Sequence, residues 1–360
     1  MNISKTKSNS LKNIKVLNVD DSRLIRELLH HILNNTADIE VVGTAADAYE
    51  ARDKIKLLNP DVITLDVEMP KMNGLEFLEK LMKARPMPVV MFSSLTKEGS
   101  ETTFKALELG AVDFITKPSI TDDSIDIYTH LLADKVRAAS RAKVYKKIEK
   151  TKFSNYFNKN NQEKDIPKIN STKIIAVGAS TGGTEAIKEF LTDMPITCPG
   201  ILIAQHMPAN FTRMFADRLN NHCLIAVKEA EHNELILSGH AYIAPGGKHL
   251  SVVRSGKQYY TNITEDPPVN LHRPSVDYLF FSVAKNVGKN AIGIIMTGMG
   301  RDGTKGLLEM KKEGAFNIAQ DEESSVIFGM PREAINAGAA HEIVALNKIK
   351  DKIVDYLEKK

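Results

Sequence analysis

Short runs of β-branched and other apolar residues alternate with amphipathic segments along almost the whole chain. Ile14–Val19, Gly200–Gln205 and Ala291–Met296 are runs of strand length, and a segment with helical periodicity follows each of them. This alternation is typical of parallel sheets covered by helices. The pattern fades from Thr151 to Thr172, where five asparagines lie among lysines. We therefore expect an α/β protein whose two halves are joined by a linker.

A chain of 360 residues is too long for one ordinary core. The pattern predicts a first domain over residues 13–135, a helix extension and linker over 136–172, and a second domain over 173–360. Five strand–helix units in the first domain predict a doubly wound, flavodoxin-like (βα)5 sheet of order 2-1-3-4-5. The second domain is predicted to be a doubly wound, mainly parallel α/β domain. Glycines and alternating runs between Glu229 and Thr264 predict hairpins within it.

Composition excludes several classes of protein. Hydrophobic residues make up 42% of the chain and charged residues 26%, which is ordinary for a globular protein. The first fifteen residues are polar, and no apolar run approaches the ~18 residues that cross a bilayer. Two cysteines fit a reducing compartment better than a disulfide scaffold. We therefore expect a cytoplasmic protein without direct membrane insertion, and we expect Cys198 and Cys223 to be small core residues.

The segment from Arg141 to Lys173 carries a local net charge of +7, although the whole chain carries only +3. A basic run of this kind can bind nucleic acid. Here most of the charge is lysine, without interleaved arginines or a stacking platform. We therefore interpret the run as a solvated helix end and linker, and we expect no nucleic-acid partner.

Carboxylates end two of the predicted strands of the first domain. Asp20 and Asp21 follow the first strand and Asp66 ends the third. In a sheet of order 2-1-3-4-5 these strands flank the topological switch point, so their carboxyl ends open onto one crevice. A single aspartate at a strand end is more often a helix cap, but three that converge predict a hard cation such as Mg²⁺. Lys117, which ends the fifth strand, could offset this charge and bind a phosphate.

These residues resemble a known family. The motif consists of Asp20-Asp21, Asp66 with Met69-Pro70 and Gly74, Ser93, and Lys117-Pro118. It is similar to the receiver domain of bacterial two-component response regulators. The resemblance implies that a histidine kinase phosphorylates Asp66 and that Asp20, Asp21 and Asp66 hold Mg²⁺. It also implies that Lys117 contacts the phosphoryl group, that Ser93 moves to hydrogen-bond it, and that Phe114 is a rotating switch.

The second domain opens with an apolar strand that runs into Gly178-Ala179-Ser180-Thr181-Gly182-Gly183. Three interpretations of Ser180 are open. A phosphate-binding loop lacks support, because no lysine followed by serine or threonine comes after the glycines. Helix capping is the ordinary role of a serine at this location. The third interpretation is a nucleophile on a tight strand-to-helix turn, since the segment satisfies Gly-x-Ser-x-Gly.

A nucleophilic serine needs a general base and an orienting carboxylate at the same edge of the sheet. His206 follows the strand Gly200–Gln205, and Asp302 follows the strand Ala291–Met296 through a glycine-rich segment. The order Ser180, His206, Asp302 differs from that of the α/β-hydrolases. The backbone amides of Thr181 and Met299 are candidates for an oxyanion hole. Together these residues predict acyl transfer without a cofactor.

Residues 173–345 resemble the catalytic domain of the CheB-type chemotaxis protein-glutamate methylesterases. The matching segments are Gly178–Gly183, Gln205–Met207, Ala244–Gly247, His272–Asp277 and Thr297–Gly303. The resemblance implies the triad Ser180, His206 and Asp302, and hydrolysis of glutamate γ-methyl esters on methylated chemoreceptors with release of methanol. It also implies deamidation of specific receptor glutamines and activation by phosphorylation of Asp66.

Two other function classes are open for this sequence. A DNA-binding regulator would carry a compact helical output domain, and the α/β pattern argues against one. A phosphorylation-dependent scaffold, or a regulator with a different ester substrate, is the other alternative. His240, His249 and His272 lack zinc-site spacing, so we expect surface or turn histidines. Arg273 could recognise an acidic receptor segment or anchor the chain before a helix near Val276.

Overall fold

The computed structural model describes residues 13–93, 97–117, 125–144 and 173–358, apart from the side chains of residues 97, 98, 100 and 127. Residues 145–172 of the predicted linker, and Pro118, lie outside the described ranges. The described residues pack as two compact units. Residues 13–93 and 109–144 belong to the first, and residues 97–108 and 173–358 belong to the second. The domain boundaries at 135 and 172 stay predictions.

The first unit contains a five-stranded parallel sheet. Its strands are β1 (Ile14–Val19), β2 (Ile39–Ala45), β3 (Val62–Asp66), β4 (Val89–Ser93) and β5 (Asp113–Thr116). The helices that follow them in the chain are α1 (Arg23–Asn34), α2 (Ala48–Leu58), α3 (Gly74–Ala84), α4 (Lys97–Leu109) and α5 (Ile125–Arg141). All of α4 except Leu109 belongs to the second unit. The strand order is β2-β1-β3-β4-β5, with every neighbouring pair parallel. The predicted order 2-1-3-4-5 is therefore confirmed.

Polar side chains fix where the helices of this unit begin. The Ser22 hydroxyl accepts a hydrogen bond from the Ile25 amide (3.4 Å), and the Asp47 carboxylate accepts one from the Glu50 amide (3.0 Å). Such N-caps satisfy amide groups that have no partner within the helix. Because α1 begins directly after the Asp20-Asp21 pair, its cap also holds the turn that carries these two carboxylates.

Gly74 lets α3 begin very close to the end of β3. A Cβ atom at Gly74 would lie 1.9 Å from the carbonyl oxygen of Asp66, and no side chain can be accommodated at that distance. The Gly74 amide donates to the Val67 carbonyl at 2.9 Å. The loop after Asp66 is therefore folded tightly back on the strand end, which keeps this loop close to the Asp66 carboxylate.

The second unit is built around a seven-stranded parallel sheet. The strands of this unit are β6 (Ile174–Ala179), β7 (Gly200–Gln205), β8 (Ala226–Glu229), β9 (His240–Ile243), β10 (His249–Ser255), β11 (Gln258–Thr264), β12 (Ala291–Ile295), β13 (Phe316–Gln320) and β14 (Glu342–Val344). The sheet order is β14-β13-β12-β6-β7-β9-β8. The chain winds outwards in one direction from β6 and in the other from β12, so the topological switch point lies between these two strands. The carboxyl ends of β6, β7 and β12 are therefore neighbours.

The helices of this unit follow the predicted alternation. They are α6 (Gly183–Thr192), α7 (Ala209–Asn220), α8 (Val276–Asn286), α9 (Thr304–Lys312), α10 (Met330–Asn336) and α11 (Ile349–Glu358). The longest described helix of the chain is α5, with 17 residues. Among the described residues, no helix has the length and apolar content that crossing a bilayer requires.

The region between Glu229 and Thr264 is only partly the predicted set of hairpins. β10 and β11 form an antiparallel hairpin from His249 to Thr264, as expected. The hairpin prediction was wrong for β9, which pairs in parallel with β8 at the edge of the main sheet, and β8 ends where the predicted hairpin region begins. Ten residues separate these two strands. A tight hairpin loop has about 2–5 residues, whereas a longer connection lets the chain return and pair in parallel.

Candidate functional sites

The first candidate site lies at the carboxyl ends of β1 and β3. One carboxylate oxygen from each of Asp20, Asp21 and Asp66 lies within 4.8 Å of the others. Asp20 and Asp66 are buried, and Asp21 is exposed. The predicted strand order places these residues at neighbouring strand ends, and in the structure they form one cluster. Three carboxylates are the oxygen donors that a hard divalent cation prefers.

Lys117, at the end of β5, contacts both buried carboxylates. Its Nζ lies 2.8 Å from Asp66 Oδ2 and 3.1 Å from Asp20 Oδ2. Burial, and secondarily the nearby charge of Asp20, raise the pKa of Asp66 to about 6 against the opposing effect of Lys117. One ammonium group cannot balance three carboxylates. The excess negative charge in this cluster therefore fits a divalent metal ion.

The two residues predicted to act as a switch lie on the neighbouring strands. Ser93 ends β4 and is fully buried, and its carbonyl accepts a hydrogen bond from the Lys117 amide at 2.9 Å. Phe114, in β5, is also buried. The Lys135 Nζ lies 5.7 Å from the centroid of the Phe114 ring, within the range of a cation–π contact. Ser93 is therefore hydrogen-bonded to the backbone of Lys117, and Phe114 precedes Lys117 in the same part of the chain.

Arg26 is a contributor to this site that the sequence analysis missed. Its Nη1 donates to the carbonyl oxygens of Asp20 (2.6 Å) and Asp21 (2.8 Å). The Arg26 guanidinium, which lies on α1, therefore fixes the backbone of Asp20 and Asp21. The signal available in the sequence was an arginine in the second turn of the helix that follows the acidic pair, although such a position is usually solvated.

The second candidate site begins at the turn between β6 and α6. Ser180 follows the last residue of β6, and its amide donates to the Thr297 carbonyl at 3.0 Å. Gly182 is the N-cap of α6, with a φ of 78°, and no side chain caps this helix. The capping role that was open for Ser180 is therefore not what its hydroxyl does here. Glycine at Gly182 allows the left-handed backbone that this sharp turn requires.

The Ser180 hydroxyl is hydrogen-bonded to His206, which is in turn bonded to Asp302. His206 Nδ1 lies 3.1 Å from Ser180 Oγ, and His206 Nε2 lies 2.8 Å from Asp302 Oδ2. The two side chains of the second pair are nearly inaccessible to solvent. With its proton on Nε2, the neutral ring donates to Asp302 and leaves Nδ1 free to accept the Ser180 proton. This is the arrangement of a nucleophile, a general base and an orienting group.

Asp302 is held as a carboxylate by several donors. The Val276 amide (2.7 Å), the Ser275 hydroxyl (2.8 Å) and the Asn270 side-chain amide (2.7 Å) all donate to it. Burial alone would raise the pKa of Asp302, but the hydrogen bonds from His206 and from these donors hold its pKa well below the usual range. The group is therefore ionised and oriented before any substrate binds.

Two glycines bring the start of α8 to Asp302. A Cβ atom at Gly178 would lie 2.1 Å from Val276 Cγ1, and one at Gly303 would lie 2.5 Å from the same atom. Their missing side chains make room for Val276 against β6. The first amides of α8 consequently point at Asp302, where the positive end of the helix dipole favours a carboxylate.

The two candidate oxyanion-hole residues lie beside the nucleophile. Thr181 is buried and follows Ser180, and Met299 is half-buried in the segment after β12. A Cβ atom at Gly298 would lie 2.8 Å from Ser180 Cβ. Glycine at this position therefore lets the segment that carries the Met299 amide approach the turn that carries Ser180.

Among the three histidines expected at surface or turn positions, His249 departs from that expectation and His272 makes a contact that was not foreseen. His272 stacks on His206, with ring centroids 3.7 Å apart and planes inclined by 14°. His249 is fully buried and accepts at Nδ1 from the Ser275 amide (3.3 Å). The surface interpretation was wrong for His249 because the hairpin that carries it packs against α8. Neither contact follows from the glycine-rich sequence around these residues.

Arg273 is bonded to backbone rather than to a carboxylate side chain. Its Nη1 donates to the carbonyls of Glu265 (3.0 Å) and Asp266 (3.2 Å).

Asn270, which the sequence analysis did not select, bridges Asp302 and Asp277 with its side-chain amide, at 2.7 Å and 2.9 Å. Its left-handed backbone (φ 54°) suits asparagine, but the contact to Asp302 spans 32 residues and has no local sequence signal. Cys198 is buried as predicted, whereas Cys223 is only half-buried.

Comparison with known proteins identifies one family for each part of the chain. The family profile described as CheB methylesterase matches residues 175–353, and the profile of the response regulator receiver domain matches residues 16–128. A protein-glutamate methylesterase/protein-glutamine glutaminase of Methylobacillus flagellatus is 57% identical over 96% of this chain and 97% of its own length. A protein of the same description from Thiobacillus denitrificans is 56% identical over 95% of this chain and 96% of its own.

A solved structure supports the fold of the second unit. The crystal structure of the Thermotoga maritima CheB methylesterase catalytic domain aligns with 51% of this chain and 98% of its own, at 36% identity and a TM-score of 0.50. Matched along nearly its whole length, the chain belongs to the CheB family of protein-glutamate methylesterases/protein-glutamine glutaminases with a response regulator receiver domain.

Proposed function

We propose that this protein is a chemotaxis response regulator that hydrolyses glutamate γ-methyl esters on chemoreceptors and deamidates specific receptor glutamines. The observation that carries the proposal is the hydrogen-bonded series Ser180–His206–Asp302 at neighbouring strand ends. Kinship with the methylesterase/glutaminase family supplies the substrate class. The triad needs no cofactor for this chemistry, because the nucleophile, base and orienting group are all protein side chains.

In the proposed acylation, Ser180 Oγ attacks the ester carbonyl carbon while His206 Nδ1 takes the hydroxyl proton. The bond to the methoxy oxygen then breaks, and His206 returns the proton to that oxygen, so that methanol leaves. Water attacks the resulting acyl-enzyme, again with His206 as base, and the products are a free glutamate and Ser180. A receptor glutamine follows the same steps with ammonia as the leaving group. The amides of Thr181 and Met299 stabilise the oxyanion in both stages.

The proposed regulatory input is phosphorylation of Asp66 by a chemotaxis histidine kinase. Asp20, Asp21 and Asp66 would hold Mg²⁺, which when bound supplies positive charge for the phosphoryl group. Lys117 contacts that group, while Ser93 and Phe114 change arrangement in response to the new charge. The matching receiver profile and the acidic cluster support this proposal. The protein would act in the cytoplasm on the receptors' cytoplasmic helices.

Arg273 keeps the two roles proposed for it. Its backbone hydrogen bonds to Glu265 and Asp266 favour anchoring of the segment before α8. Recognition of an acidic receptor segment by the same guanidinium stays a proposal. The boundaries 13–135, 136–172 and 173–360 are likewise proposed as receiver, extension with linker, and esterase.

Binding of Mg²⁺ is expected to strengthen as pH rises. The raised pKa of Asp66, about 6, means that a proton competes with the metal at lower pH. The apparent affinity measured by titration calorimetry should therefore increase about 10-fold between about pH 5 and pH 7. Asp66→Asn should remove most of this dependence. Asp21→Asn, which removes the exposed carboxylate, should weaken binding at both pH values and keep the dependence. Equal wild-type affinities across this range would contradict the metal-site proposal.

The function is tested with membranes that carry methylated chemoreceptors. Methanol release is measured with the wild-type protein, with and without Mg²⁺ and a small phosphodonor, and unmethylated membranes serve as the substrate control. We expect release only from methylated membranes, and faster release with the phosphodonor. The Asp66→Asn variant should keep the basal rate and lose the stimulation. No release under any condition would favour a scaffold or a different ester substrate.

A further inference from the structure

The two amides assigned to the oxyanion hole share a structural feature. Each belongs to a peptide group whose carbonyl accepts two hydrogen bonds from outside the site. The Ser180 carbonyl accepts from the Gly183 amide (2.7 Å) and from Gln205 Nε2 (3.0 Å). The Gly298 carbonyl accepts from the amides of Gly329 (3.1 Å) and Met330 (2.8 Å). In a planar trans peptide the C=O and the next N–H point in opposite directions, so fixing one fixes the other.

The two carbonyls differ in what holds them. Both donors to the Gly298 carbonyl are backbone amides, whereas one donor to the Ser180 carbonyl is the side chain of Gln205. Gln205 is the last residue of β7, directly before His206, and it is only 3% exposed. Its orientation therefore controls the peptide between Ser180 and Thr181, and a substitution can remove this control without changing the triad.

The packing around Gln205 fits a side chain held in one position. A Cβ atom at Gly183 would lie 2.1 Å from Gln205 Oε1, so glycine at the start of α6 makes room for the amide. Oε1 is buried and has no hydrogen-bond partner among the described residues, so the side chain's polar contacts are those of Nε2. Nε2 also lies 3.3 Å from the His206 carbonyl. The hydrogen bonds of Nε2 therefore determine how this buried amide is oriented.

We propose that Gln205 is a positioning residue for the oxyanion hole. By donating to the Ser180 carbonyl, it keeps the Thr181 N–H directed at the oxygen that becomes negative during acyl transfer. The proposal rests on the proposed function, since it requires ester or amide hydrolysis at Ser180. Gln205 does not touch the substrate. Because the oxyanion exists only in the transition state and the tetrahedral intermediates, the residue should act on kcat rather than on KM.

The first test compares Gln205→Leu with the wild type in methanol release from methylated receptor membranes. Loss of one oxyanion-hole donor typically costs about 10²- to 10³-fold in kcat. The Gly183 amide still holds the Ser180 carbonyl in this variant, so we expect a smaller loss of about 10- to 100-fold. KM should stay within about twofold of the wild type. Rates are normalised to the number of Ser180 side chains that react with a fluorophosphonate after long incubation, which counts folded sites.

The pH dependence of kcat in the variant Gln205→Glu distinguishes a positioning role from a merely structural one. A protonated carboxyl can donate to the Ser180 carbonyl, whereas a carboxylate cannot. The kcat of this variant relative to the wild type should therefore fall as pH rises through the pKa of the new carboxyl. The same ratio for Gln205→Leu should not change with pH. A pH-independent ratio for Gln205→Glu would count against the proposal.

Asn317→Leu is a matched control. Asn317 is also fully buried, its Nδ2 donates to the carbonyls of Leu307 (2.7 Å) and Ala339 (3.0 Å), and its Oδ1 is unpaired. Asn317→Leu removes the same kind of side-chain-to-carbonyl hydrogen bond at a position away from Ser180. Its kcat per folded site should therefore stay within about twofold of the wild type. If Gln205→Leu behaves like Asn317→Leu, or changes KM alone, the proposal is overturned while the proposed function stands. Absence of methanol release by the wild type would overturn the proposed function and this inference with it.

Discussion

Replacing Ser180 with alanine is expected to abolish measurable methanol release, with a fall in kcat of about 10⁴-fold or more. In the proposed mechanism the Ser180 hydroxyl forms the acyl-enzyme, and it lies 3.1 Å from His206 Nδ1, the proposed base. Alanine removes the nucleophile and leaves His206 and Asp302 paired. Receptor binding should persist, so the loss should lie in kcat, measured as methanol release from methylated receptor membranes.

A buried serine elsewhere in the same domain provides the control. Ser251, in β10, is buried, and its hydroxyl donates to the Asn262 carbonyl at 3.2 Å within the hairpin. Ser251→Ala removes one hydroxyl that does not contact His206, so kcat should stay within about threefold of the wild type. If Ser180→Ala retained methanol release, or lost it no more than Ser251→Ala, the assigned nucleophile would be wrong.

Replacing Asp302 with asparagine is expected to lower kcat by about 10⁴-fold while the protein stays folded. Asp302 accepts from His206 Nε2 and from the Val276 amide through the same oxygen, Oδ2. An asparagine nitrogen cannot accept either bond. If that nitrogen faces the ring, His206 must carry its proton on Nδ1, and Nδ1 can then no longer take the proton of Ser180. Circular dichroism and the thermal unfolding temperature would show whether the fold is retained.

Asp277→Asn is the matched control, because it changes a carboxylate that is linked to Asp302 through the side chain of Asn270. Asp277 is buried and accepts from the Gly306 amide (2.7 Å) and from the Asn270 side chain (2.9 Å). These contacts do not include His206, so kcat should fall by no more than about 10-fold through small shifts of Asn270. Equal losses in the two variants would mean that the network acts only structurally, and that Asp302 does not set the proton position on His206.

Sequence patterns predicted the strands of both sheets well where those strands are buried. β1 and β7 match the predicted bounds, because runs of apolar residues between polar turns are typical of buried parallel strands. β9 lies in the predicted hairpin region but pairs in parallel with β8, which was not predicted as a strand. Each is only four residues long, and the direction in which so short a strand pairs depends on the path of its connection. No local feature of the sequence reports that path.

Some of the candidate site residues could also be predicted from the sequence, and others could not. Ser180, His206 and Asp302 could be selected because each follows a predicted strand, and parallel strands bring their carboxyl ends to one edge. Asn270 and Arg26 could not be selected. Asn270 reaches Asp302 from an irregular loop, and Arg26 reaches backward from a helix to two carbonyls. Their hydrogen bonds depend on loop conformation and side-chain rotamers, which residue types alone do not specify.

The sequence by itself determined the two α/β domains, the family and the residues at the strand ends, because periodicity and strand order act over whole elements. Only the tertiary structure decided that Nδ1 of His206 faces Ser180, that His249 is buried, and that Gln205 holds the Ser180 carbonyl. Hydrogen bonds form at separations of about 3 Å, so they require each side chain to be placed to within a fraction of that distance. Placement of this kind results from the packing of segments far apart in the chain.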